Sequence, residues 1–141
     1  MIFTEPTDDL LAPWQRVFRR GVFPQLSTRG LEALRDGLEK DDAGLLQGTT
    51  CIPAPLQCCQ DMDVKGVCLM SYPFWKTGAT TVGDVEEAFA HLCFLTDQVM
   101  GEPAACREVI NRWDDEPRDK VRHEMLIEVG LELANRENLR K

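Results

Sequence analysis

The segment from Val82 to Met100 constrains this chain most. It carries no proline, follows a Thr81 that can cap a helix, and runs into Gly101, a preferred helix stop. Val85, Ala88, Phe89, Leu92, Leu95, Val99 and Met100 recur at helical spacing on one broad face, and Asp84 and Glu86 suit the positive end of the helix dipole. The pattern predicts a long core helix that everything else must pack around. Phe94 points away from that face.

Other helices follow from the same signals. Leu10, Trp14, Val17 and Phe18 predict a first helix over 10–20, capped by Thr7 or Asp9, with Pro13 near its first turns and Gly21 and Pro24 ending it. Ser27 caps a second over 28–40, striped by Leu31, Leu34 and Leu38, and a short helical piece is expected over 43–47. Pro103 is expected to open a helix reaching Trp113, and Pro117 to restart one over 118–136. That last helix has an inner face of Val121, Met125, Val129 and Leu133. Ile127 and Leu131 lie four apart on its other side, and a helix with two apolar stripes touches two things.

The middle is different. Pro53 and Pro55 hold Ile52 and Ala54 extended. The apolar run Val67 to Met70 reads as a strand, with residues 56–60 as its hairpin partner across Asp61-Met62-Asp63. The expected fold class is mainly α: one compact domain over 1–141, of about five helices, with a small central β-hairpin or extended insert. A chain of 141 residues fits one such domain.

The formal net charge of -8 excludes nucleic acid, whose binding needs a positive face. The one dense basic stretch, Arg16, Arg19 and Arg20, reads as a solvated helix face. No stretch reaches the ~18 apolar residues of a membrane span, and Met1 to Asp9 has neither the basic start nor the apolar run of a secretory signal. A cytoplasmic protein is expected. Cys51, Cys58, Cys59, Cys68, Cys93 and Cys106 are then thiols rather than disulfides.

Sites for chemistry are sparse. Asp61-Met62-Asp63-Val64-Lys65-Gly66 opens like a calcium loop, but Lys65 stands where an oxygen ligand is needed and Tyr72 where a glutamate is. Zinc knuckles need cysteine pairs two to four residues apart, whereas Cys58 and Cys59 are adjacent and would face opposite ways in a strand. His123-Glu124 lacks the second histidine of a zinc-protease helix, Ile127 occupying its place, and phosphate-loop, dinucleotide and serine-hydrolase signatures are missing. Cys58, Cys59, Asp61 and Asp63 remain the metal-ligating candidates, within an alternative reading of segment 51–72 as a small enzyme or ligand site. No cofactor is expected.

The preferred expectation is a non-enzymatic interaction protein binding a protein partner or itself as a homodimer. Its candidate anchors are Tyr72, Phe74, Trp75, Phe94, Ile127 and Leu131, because large apolar side chains dominate interfaces. Ordinary core packing is the competing explanation for the three aromatics around Pro73. A third reading is an acidic inhibitor or immunity-type protein that blocks a basic site.

Overall fold

The computed structural model describes residues 10–140. Among these lie six α-helical segments and a three-stranded sheet, the mainly α architecture the sequence predicts. The proposed caps Thr7 and Asp9 lie outside the described residues.

The first helical stretch is less regular than its periodicity suggests. Helix α1 spans Pro13–Val17, with Pro13 in its first turn and the Gln15 side chain accepting from the Ala12 amide at 3.0 Å. The chain then widens into a π turn over Phe18–Val22 and tightens into a 3-10 turn over Phe23–Gln25. Gly21 does not end the helix as expected. A Cβ there would lie 2.8 Å from Thr96 Cγ2, so glycine lets the π turn press against the long helix, and the Thr96 hydroxyl donates to the Gly21 carbonyl at 3.3 Å. Leu10 precedes α1 and is exposed rather than part of its buried face.

Helix α2 (Thr28–Lys40) has the expected bounds. The Ser27 hydroxyl accepts from the Gly30 amide, and Leu31, Leu34 and Leu38 are buried. The expected helical piece over 43–47 is instead strand β1 (Leu45–Leu46), paired in parallel with strand β3 (Gly66–Cys68). Strand β2 (Cys51–Ile52) lies antiparallel on the other side of β3. The hairpin partner expected over 56–60 is therefore wrong. Pro53 has no N–H to extend the ladder, so pairing stops at Ile52. Residues Gln57–Cys59 form a 3-10 turn, and the chain next pairs through the bridge Asp63 to Thr81.

Helix α3 (Tyr72–Trp75) is a single turn built around Pro73. Helix α4 (Val82–Met100) follows the Thr81 cap, whose hydroxyl accepts from the Asp84 amide. Helix α5 (Arg107–Asp115) starts later than Pro103. Residues 103–106 form a turn whose Ala104 and Cys106 amides donate to the Asp97 carboxylate at 3.0 and 2.9 Å. Helix α6 (Arg118–Leu139) runs past Arg136.

One apolar cluster joins these elements, with Phe18, Phe23, Leu31, Leu34, Leu92, Trp113 and Met125 fully buried in it. Helix α6 packs on α2, α1 on α5, and α4 on the π turn. Arg136 of α6 donates to the Phe23 and Leu26 carbonyls at 2.7 and 2.9 Å, satisfying the end of the 3-10 turn. No helix among the described residues is long and apolar enough to cross a membrane.

Candidate functional site

The broad apolar face of α4 divides into two. Val85, Leu92 and, with them, Thr96 turn into the core. Ala88 and Leu95, offset around the helix, form one wall of an open cleft of about 610 Å³. The same wall carries Asp84, Glu87 and His91. The facing wall is Phe74 from α3 with Gly78 and Ala79 from the loop beyond it, and Gln25 also lines the cleft.

Local chemistry holds that facing wall in place. The Thr77 hydroxyl donates to the Pro73 carbonyl at 2.7 Å, and the Ala79 amide returns to the Phe74 carbonyl at 2.9 Å. Gly78, at φ +137°, supplies the left-handed step that reverses the chain. The opposite wall is fixed by the Thr81 cap and by the Asp63–Thr81 bridge.

The cleft is apolar at its base and acidic above. Leu92 is 2% exposed at the floor, flanked by Phe74, Ala79, Ala88 and Leu95, while Asp84 and Glu87 are exposed and no lysine or arginine among the described residues lines it. Among the described residues it contains no serine, threonine or cysteine nucleophile either. Its volume lies in the range of ~300–1,000 Å³ usual for sites that receive a ligand or an inserted side chain.

The candidate anchors scatter. Tyr72 is buried, its hydroxyl donating to Asp42 at 2.6 Å, so its ring belongs to the interior rather than to an interface. Trp75 is half-buried, edge-on to Tyr72 and covered by the Lys76 ammonium 3.8 Å from its ring centre. Phe74 is half-buried and lines the cleft. Phe94 on α4 is 63% exposed. On α6, Ile127 and Leu131 are 49% and 54% exposed, on the side away from its buried face.

The four metal candidates do not assemble as one set. Among the described residues no three His, Cys, Asp or Glu side chains are placed to hold an ion. Asp61 and Asp63 are exposed on the turn. Cys58 and Cys59 face the same way, Sγ to Sγ 3.8 Å, because a 3-10 turn rather than a strand carries them. Cys51 and Cys68 are buried, their thiols donating to the Pro53 carbonyl and the Ser71 hydroxyl. Burial pushes the thiols of Cys51, Cys68, Cys93 and Cys106 up, and the bond to Cys58 does the same to Cys59, so none of these five is an activated nucleophile. The basic stretch also differs from a purely solvated face. Arg19 reaches the buried Glu128 carboxylate with two bonds, at 2.5 and 3.1 Å.

Sequence reading located Phe74 but not Gln25, Ala79, Asp84, Glu87 or His91 as a group. The available signal was the width of the α4 face, which is broader than one neighbouring element covers. Compared with protein-family models, curated proteins and solved structures, the chain gives no match.

Proposed function

We propose that this chain is a non-enzymatic interaction domain, and that the cleft between α3 and α4 receives an apolar segment of a protein partner flanked by basic residues. The observation that carries this reading is the pairing of an apolar floor, Phe74, Ala79, Ala88, Leu92 and Leu95, with a rim that bears Asp84 and Glu87 and, among the described residues, no lysine or arginine. An amphipathic helix laid in such a groove buries one face and leaves its basic flanks against the carboxylates. The overall charge of -8 adds long-range attraction for a basic partner. The reading as an acidic inhibitor is the special case in which the partner's basic segment is itself a functional site.

The test is fluorescence anisotropy with a labelled helical peptide that has leucines on one face and lysines on its flanks. Binding is expected, weakened by salt and lost with Glu87→Lys plus Leu95→Lys, while Ile127→Asp leaves it intact. Binding indifferent to the cleft substitutions contradicts the reading.

A second reading, the homodimer, rests on Ile127 and Leu131. Two half-exposed aliphatic side chains fall well short of the ~800 Å² per partner of a stable interface. A dimer through α6 is therefore a weak one, seen by sedimentation only at high concentration and abolished by Ile127→Asp with Leu131→Asp. Six unpaired cysteines suit a reducing compartment, and we place the protein in the cytoplasm.

A further inference from the structure

The 3-10 turn Gln57–Cys59 collects sulfur. Cys58 is exposed and Cys59 half-buried, their Sγ atoms 3.8 Å apart. Met62, three residues beyond Cys59, is 49% exposed. The turn is firmly held. The Cys59 amide donates to the Leu56 carbonyl and the Met62 amide to the Cys59 carbonyl, both at 2.9 Å. The Gln60 side chain bonds the Leu56 carbonyl and the Glu86 carboxylate, and the Gly83 and Val82 amides bond the Gln60 and Met62 carbonyls. The backbone that carries Cys58, Cys59 and Met62 is thus anchored on the start of α4.

We propose that Cys58 and Cys59, with Met62 three residues on as the candidate third donor, form a surface site for one cuprous ion. Thiolate and thioether donors suit this soft cation, whereas zinc is ordinarily held by cysteine, histidine and carboxylate donors. A d10 ion bound to two sulfurs at ~2.3 Å sets them ~3.8 Å apart at the tetrahedral angle and ~4.0 Å apart at the trigonal one. The observed separation of 3.8 Å is within ~0.2 Å of the trigonal value that three donors set. A structural zinc site requires four donors, and the nearest further cysteines by sequence, Cys51 and Cys68, are buried and bonded elsewhere. A disulfide is disfavoured, because adjacent residues joined by a trans peptide have Cα atoms ~3.8 Å apart, inside the ~4.4 Å lower limit of ordinary disulfides. On binding, each thiol loses its proton to solvent as its Cu–S bond forms. Copper stays cuprous, no electron moves, and the neutral dithiol with Cu(I) becomes a site of charge -1.

The experiment is an anaerobic titration of the full chain with Cu(I) against the chromophoric chelator bicinchoninate. One ion withdrawn per chain, with release of two protons, is expected. Cys58→Ser and Cys59→Ser each remove that uptake, and Met62→Leu weakens it without removing it. Cys58 is exposed, so Cys58→Ser keeps the fold and decides the matter should Cys59→Ser perturb it. Absence of uptake by the wild type, or uptake unchanged in Cys58→Ser, overturns the site. Zn(II) uptake at equal stoichiometry, unaffected by Met62→Leu, overturns the cuprous assignment.

Discussion

Tyr72 donates its hydroxyl hydrogen to Asp42 across 2.6 Å, tying α3 to the end of α2. The ring lies directly over Gly37, where a Cβ would come within 2.6 Å of the ring's Cζ and of the hydroxyl oxygen. The bond holds the ring in place, so it cannot swing aside to make room.

Gly37→Ala therefore sets two effects against each other. Alanine in a helix interior gains ~1 kcal/mol over glycine, while overpacking a fixed neighbour costs ~1–3 kcal/mol. With the ring pinned, the steric effect wins, and a net loss of up to about 2 kcal/mol in urea unfolding is expected. In a Tyr72→Leu background the obstacle is gone and the same change stabilises. A higher melting temperature for Gly37→Ala in the wild-type background contradicts this packing.

The same pair sets a pH dependence. The hydrogen bond from Tyr72, then the Gly44 amide, holds the Asp42 carboxyl below the ordinary aspartate range. A depressed folded-state value means the contribution is present above the unfolded value, ~4, and is lost as pH falls through the folded one. Burial first, then Asp42, pushes the Tyr72 phenol up, so its contribution holds below ~10 and fades as pH rises beyond that. The stability difference between wild type and Asp42→Asn should be full at neutral pH and shrink below about pH 4. Equal urea midpoint differences at both pH values contradict it.

Arg19 forms an ion pair with Glu128, the glutamate only 3% exposed. Removing one partner strands a desolvated carboxylate, and Arg19→Met should cost ~3 kcal/mol even with the Gln15 amide 3.5 Å away. Arg19→Met with Glu128→Leu should recover most of that loss. A double variant as unstable as the single one would show that the pair contributes net attraction rather than mutual compensation.

The long elements were legible in the sequence and the short ones were not. Ser27 and Thr81 cap helices at the expected residues because a side-chain oxygen three residues before a free amide is a local signal. Leu45–Leu46 and Cys51–Ile52 are too short to show a period, and only pairing with β3 makes them strands. The π turn depends on Gly21 meeting Thr96, a contact 75 positions apart. The cleft is of the same kind. Leu95 was readable as apolar, but not that Ala79 and Phe74 would leave it half-covered. Cys58 and Cys59 were misplaced for a simpler reason, since adjacency predicts opposite faces only in a strand.

The central claim is that the α3–α4 cleft is where a partner binds. Titrating isotope-labelled protein with the leucine–lysine helical peptide, and mapping amide shifts residue by residue, tests it most directly. The account predicts perturbations concentrated at Phe74, Ala79, Ala88, His91 and Leu95, with Ile127 and Leu131 unmoved. Shifts centred on Ile127 and Leu131, or none beside Leu95, would contradict it.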